Sequence, residues 1–164
     1  MDEVLWTDPS KIRFKISPHS DLSSKADGDW DLERRHPLDD AVKHRSIAQR
    51  YVQCWPWEET DLFKQVYTPR IAREGIRGCR TMRELLSQYY DRVDGMFEEM
   101  KASGFKVIGL GGRRYPLPRL LVGRDGEVFI GNQGNHRLAM AKILGLSEIA
   151  GEVVCRHSQS ALTA

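Results

Sequence analysis

The sequence predicts an α/β fold of the α+β kind, a small mixed β-sheet with packed helices and a helical extension on its N-terminal side. Three observations lead there. Leu120-Leu121-Val122 and Val128-Phe129-Ile130 flank Asp125-Gly126, and Asp-Gly supports the positive φ angles of a tight hairpin turn. That hairpin runs through a glycine-rich turn into an apolar helix, Leu138 to Leu144, closed by Gly145 and followed by a returning strand, Glu152–Arg156. Thr81-x-x-Glu84 is a capping box, and Leu85, Tyr89, Val93, Met96 and Met100 follow it at helical spacing up to Gly104. A chain of 164 residues suits one core. We assign residues 1–157 to one domain, in which residues 1–116 are loop and helix and residues 117–157 carry the motif, and expect 158–164 to be a disordered tail.

In chain order, Val4 to Ile16 reads as an extended entry, because Ile12, Phe14 and Ile16 alternate with Arg13 and Lys15 as on a half-buried strand. Ser17 to Pro37 is too polar to pack alone and too long for a plain connection, so it is either functional or disordered. Trp30 within it either pins the loop to the core or covers a ligand, with Asp31 beside it as an acceptor or base. Leu38 to Val52 reads as a helix with a mildly basic outer face, Lys43, Arg45 and Arg50. A dense aromatic turn, Cys54 to Thr60, leads to a helical run, Asp61 to Val66, interrupted by Pro69. The Thr81–Ser103 helix is core scaffold, and its Met and Tyr residues read as packing. Phe105 to Leu110 reads as a short strand. Gly109 to Arg114 reads as a mobile basic loop, since Pro116 and Pro118 prevent the helix that a dinucleotide loop needs.

Composition narrows the partners. Lys+Arg 25 against Asp+Glu 23 gives a net charge of +2, with no run of five or six like charges, so a nucleic-acid partner is not indicated by charge and any basic surface must be local. No apolar run approaches membrane-spanning length, and Met1-Asp2-Glu3 lacks signal-peptide character. Cys54, Cys79 and Cys155 are odd in number and scattered, which argues for reduced thiols and a cytoplasmic location.

The chemistry concentrates at Ile130 to Arg137. Glycines and amides between a strand and a helix force a sharp turn with outward N–H groups, which is how an anion site is built. His136 and Arg137 then sit at the positive end of the macrodipole, where cations are disfavoured by roughly 0.3–1 kcal/mol unless an anion joins them. The other reading is an ordinary strand–turn–helix corner with Asn135 as N-cap and two solvated basic residues. A metal site from Cys155, His157 and His136 lacks a fourth ligand, so no metal ligand is assigned.

Gly134-Asn135-His136-Arg137-Leu138-Ala139, then Ala141 to Gly145 and Ile149 to Val154, resemble the Gly-x-His-Arg segment of the ParB/sulfiredoxin superfamily, over Leu117 to His157. The resemblance implies a sheet of that type and a nucleotide-phosphate site at Gly134, Asn135, His136 and Arg137, with a nucleoside triphosphate, ATP or CTP with Mg, as cofactor. The departures are specific. Asn135 stands where sulfiredoxins carry their nucleophilic cysteine, so sulfinic acid reduction is not expected. Asn135-His136 replaces the middle of the Gly-Glu-Arg-Arg-like box of partition proteins, and Gln133 stands where a free-serine kinase of this fold has an acid. A looser resemblance, Trp57-Glu58-x-Thr60 with Gly28-Asp29-Trp30-Asp31, is to segments of ParB-like proteins of bacteria, archaea and phages, and carries no activity with it.

Three functions follow. In a nucleotide-dependent small-molecule kinase or NTPase, Gly134 to Arg137 hold phosphates and Asp31 or Glu58 is the catalytic acid or base. Trp30, Arg156 and His157 would then contact the small-molecule acceptor. In a DNA-associated ParB-type module or nuclease, a basic reader or clustered acidic metal ligands are wanted, and neither is evident. In a non-catalytic sensor, a phosphorylated ligand closes the Ser17–Pro37 loop over the site.

Overall fold

The computed structural model describes residues 3–108, 112 and 114–160. It contains a seven-stranded mixed sheet, built from β1 Glu3–Thr7, β2 Phe14–Ile16, β3 Lys25–Ala26, β4 Arg35–Pro37, β5 Arg119–Val122, β6 Val128–Ile130 and β7 Ile149–His157. The order is β1-β7-β5-β6-β2-β4, with β3 paired to the far end of β7. The long strand β7 organises this sheet, taking β1 antiparallel along Ile149 to Val153, β5 in parallel, and β3 at Arg156 and His157. The β5–β6 hairpin is antiparallel, and β2 joins β6 in parallel at Lys15 and Ile130.

Pleating sends alternate residues to two cores. Leu120 and Ile130 face a large core with Ile47, Trp57, Leu85, Tyr90 and Leu138, while Leu121 and Phe129 face a small one with Ile16, Trp30 and Cys155. The helices are α1 Trp30–Glu33, α2 Val42–Tyr51, α3 Ile71–Glu74, α4 Met82–Leu85, α5 Asp91–Ser103 and α6 Asn135–Ile143. Of these, α2 and α6 pack against each other and α5 packs on α6. Among the described residues no helix is long and apolar enough to cross a membrane.

The capping box forms as its spacing requires. Thr81 Oγ1 accepts from the Glu84 N–H at 3.2 Å, and Glu84 Oε2 accepts from the Thr81 N–H at 3.3 Å. Helical backbone then continues to Ser103, with a π-helical stretch Leu86–Tyr90 between α4 and α5. Tyr90 is fully buried there, its hydroxyl 2.9 Å from that of Tyr67.

Several elements differ from expectation for local reasons. The strand expected at Ile12–Ile16 is confined to Phe14–Ile16, because the 3-10 turn Pro9–Lys11 delivers Ile12 to the core as a buried cap. The helix expected from Leu38 begins as a 3-10 turn, Leu38–Asp40, and becomes α-helical at Val42. Asp61 to Val66 is realised as a π-helix, Leu62–Tyr67. In the hairpin only Gly126 has positive φ, 79°, and its N–H donates to Gly123 O at 3.0 Å, so the loop is a three-residue turn with a glycine bulge. Phe105 to Ile108 forms no strand beyond an isolated bridge between Ile108 and Arg114, and the basic loop lies largely outside the described residues. The expected tail is held at its start, where Ser158 N–H donates to Ala26 O at 2.9 Å; residues 161–164 lie outside the described residues.

The N-terminal helices are joined to α5 through one carboxylate. Asp94 accepts from Arg50 Nη2 at 2.7 Å, Tyr51 Oη at 2.8 Å and Trp57 Nε1 at 3.1 Å, while Tyr51 stacks on Phe97 with centroids 3.8 Å apart. Asp94→Ala leaves three donors without their acceptor, and is expected to cost about 2–4 kcal/mol by urea denaturation. A loss below about 0.5 kcal/mol would assign the joint to the aromatic packing alone.

Candidate functional site

Strand β6 ends at a turn in which two positions are crowded against a side chain. A Cβ at Gly131 would lie 2.7 Å from His19 Nε2, which accepts from the Asn132 N–H at 3.1 Å. A Cβ at Gly134 would lie 2.5 Å from Pro118 Cα, and Gly134 has φ 91°, so a side chain there meets both a backbone clash and conformational strain. Gly134 is the N-cap of α6, and Asn135, expected in that role, is instead the first helical residue. Its amide works inward: Nδ2 donates to Gly131 O at 3.1 Å and Oδ1 accepts from His44 Nε2 at 3.1 Å, tying the turn to α2. A glycine N-cap has no side chain to cap the amides of the first turn, and the residues carrying them line a cleft.

That cleft has a volume of about 700 Å³. Its lining includes Lys43 from α2, Arg77, Arg92 from α5, Arg114, Arg119 and Arg137, and among the described lining residues there is no Asp or Glu. The first five form no ion pair among the described residues. Tyr89, Val93, Met96, Tyr115 and Pro116 supply an apolar and aromatic wall. Lys43 is held below the ordinary lysine value, first by burial and then by repulsion from Arg77 and Lys15.

The two basic motif residues differ from solvated side chains. His136 is 8% exposed, packs edge-on to Tyr90 with centroids 6.1 Å apart, and its Nε2 has no hydrogen-bond partner. Burial, then Lys43, Arg77 and His44, press its pKa down to about 3, so it is neutral at physiological pH. Arg137 is 6% exposed and largely committed to the scaffold. Its Nη1 donates to Pro116 O at 3.3 Å and its Nη2 to Lys106 O at 2.5 Å, and its guanidinium stacks 3.9 Å from the Phe105 ring centroid. Burial lowers its pKa to about 10, and Nε is left without a partner.

The other sequence-predicted residues are not brought to this cleft. Trp30 and His157 belong to the opposite face of the sheet, where their rings lie 5.9 Å apart and Trp30 packs on Phe129 in the small core. His157 Nδ1 accepts from the Gln159 N–H at 3.1 Å, so Nε2 carries the proton and donates to Gly28 O at 2.7 Å. Asp31 is 2% exposed and paired with Arg124, which reaches it at 2.7 Å, with the Arg124 N–H adding a bond at 3.0 Å. Burial works to raise that carboxyl, but the Arg124 hydrogen bonds prevail and hold it below the usual carboxylate range, leaving a poor base. Arg156 pairs with Glu3 on β1, and Glu58 is exposed and absent from the cleft lining. Cys155 and His157 are therefore on the face away from His136, and the three do not converge on a metal.

No family model, curated protein or solved structure matches the chain. The cleft residues that sequence reasoning missed are Lys43, Arg77, Tyr89, Arg92, Arg119 and Tyr115. Of these, Tyr89 and Arg92 leave a local trace, recurring with Met96 at helical spacing along one side of the Thr81–Ser103 helix, while the others come from separate elements and carry no signal in the sequence.

Arg137→Met keeps bulk while leaving two carbonyls without a donor, and is expected to cost about 2–4 kcal/mol by chemical denaturation. Stability equal to the parent would mean that the segment around Pro116 is held by other contacts. A pH effect follows from the neutral imidazoles. His44, pressed down to about 4 chiefly by burial, and His136 must take up protons on unfolding. Stability is therefore fully present above the ordinary histidine value near 6.5 and falls as the pH drops towards the folded values. The melting temperature is expected to decline between about pH 6.5 and pH 4, less steeply in His44→Gln, which keeps a donor for Asn135 without titrating. Identical slopes would remove His44 from the account.

Proposed function

We propose that this chain is a ParB/sulfiredoxin-type domain that binds a nucleoside polyphosphate, ATP or CTP, with its phosphates at the start of α6. The observation that carries the reading is the cleft of about 700 Å³ at an α6 N-terminus without a side-chain cap, lined by unpaired cations and, among the described residues, by no carboxylate. Amides at a helix start favour an anion, and facing cations without acids intensify that preference in a recessed site. The partnerless Nε2 of His136 would gain a phosphate oxygen as acceptor. Tyr89, Met96 and Tyr115 give the nucleoside apolar surface, and the volume suits a ligand of nucleotide size.

Binding is better supported than phosphoryl transfer. Asp31 is committed to Arg124 on the other face and Glu58 does not line the cleft, so neither of the expected bases is placed to act on an acceptor. A kinase or NTPase would need its acid from outside the described lining, whereas a phospho-ligand sensor needs only the field and the amides.

Calorimetry with ATP, CTP and inorganic triphosphate, with and without magnesium, tests the reading. At least one should bind, more weakly as salt rises. Lys43→Ala is expected to weaken it by about 1.5–3 kcal/mol, the worth of a hydrogen bond to a charged group. Absence of binding by all three, or affinity indifferent to Lys43, would sink the proposal.

A further inference from the structure

The turn from Gly75 to Cys79 is built at a conformational disadvantage. Ile76 and Cys79 exchange two backbone hydrogen bonds, Ile76 N–H to Cys79 O at 2.9 Å and Cys79 N–H to Ile76 O at 2.8 Å, and enclose just Arg77 and Gly78. Arg77 has φ 50° and Gly78 has φ 80°, the double positive φ of a type I′ turn. Glycine, asparagine or aspartate is preferred at the first of those positions, because a longer L side chain in the left-handed region crowds its own backbone. The turn is also closely packed: Ile76 and Cys79 are buried, and a Cβ on Gly75, itself at φ 73°, would come within 3.2 Å of Cys79 O.

Arginine in that place is not explained by hydrogen bonding or ion pairing among the described residues. The Arg77 side chain forms no hydrogen bond or ion pair among the described residues, and its guanidinium lies over Tyr89, 3.9 Å from the ring centroid. Both residues line the cleft. A guanidinium stacked by its face keeps its N–H edges available, and those edges match a phosphate bidentately. Lys43 and His136 line the same cleft, and His136 Nε2 is buried without a hydrogen-bond partner, so Arg77, Lys43 and His136 meet there from separate elements. Lys43 and Arg77 are also the two cations that act most strongly on His136, which places all three in one electrostatic neighbourhood.

We infer that Arg77, held out by its strained turn and braced on Tyr89, is a ligand-contacting residue that grips the phosphate chain of a nucleoside polyphosphate together with Lys43 and His136. The inference rests on the phosphate reading of the cleft and adds a residue outside the strand–turn–helix motif. It also explains the strain, which persists where a function requires it. A neutral Asn-Gly turn would be conformationally easier and would lose the guanidinium.

The test pairs affinity with stability in the full chain. Arg77→Gly and Arg77→Asn both suit positive φ, so each should keep or raise the melting temperature while weakening ATP and inorganic triphosphate tenfold or more. Arg77→Lys, which keeps charge but loses the planar fork and the stack, should fall between. Unchanged affinity for both probes in Arg77→Gly and Arg77→Asn would overturn the inference while leaving the cleft reading intact. A loss seen with ATP and absent with inorganic triphosphate would move the contact from phosphate to nucleoside and also overturn it. A parent protein that binds none of ATP, CTP and inorganic triphosphate would remove the cleft reading itself, a result separable from the other two.

Discussion

The approach of Gly134 to Pro118 is the constraint on which the rest of the site depends. Arg119 N–H donates to Gln133 O at 3.1 Å, Gly131 N–H donates to Arg119 O at 2.8 Å, and Gln133 Nε2 donates to Leu117 O at 3.2 Å. On its other side the same segment accepts from Glu152 N–H through Pro118 O at 2.8 Å. The chain between Leu117 and Arg119 is thus held by the turn before α6 and by β7 at once. Because no Cβ fits between Gly134 and Pro118, the helix start stands directly against that segment, and the segment carries Arg119 and Tyr115 to the cleft. Fold and site meet at one van der Waals contact.

The cleft gathers one Lys and five Arg side chains, and among the described residues no carboxylate lines it. Unit charges a few ångströms apart repel by kilocalories at protein-surface dielectric, and the α6 dipole adds to the repulsion. Two adjustments reduce the cost. His136 stays neutral, since burial and its cationic neighbours press it far below the ordinary histidine value. Arg77, Arg92, Arg114 and Arg119 are exposed, where water screens them.

The sequence made the scaffold legible wherever the signal was local. The capping box at Thr81 and Glu84, the β5–β6 hairpin, the helix after Gly134 and the returning strand all rest on residues within a few positions of one another. The site was legible only at its nucleus, the 134–137 turn. Lys43, Arg77 and Arg92 reach it from three other elements, and nothing in a single sequence records which exposed cations converge in space. The same limit separated Trp30 and Asp31 from the site. Their polar loop looked too hydrophilic to fix itself, yet β3 and β4 pair it to the sheet, and Arg124, 93 residues away, closes on Asp31. Period-two alternation on β7 puts Cys155 and His157 on one face, but alternation by itself does not say which face the cleft uses.

The two basic motif residues thus divide the work with residues remote from them. Arg137 spends its Nη groups on the carbonyls of Lys106 and Pro116 and its face on Phe105, so it supports the cleft wall. His136 contributes one unpaired ring nitrogen but no charge. The positive charge of the cleft lining is therefore carried mainly by Lys43, Arg77, Arg92, Arg114 and Arg119, which sit on separate elements. On the phosphate reading proposed above, the turn would position the anion, whereas the surrounding cations and Tyr89 would select its size and charge, so the discriminating residues would be those on the walls rather than those of the turn.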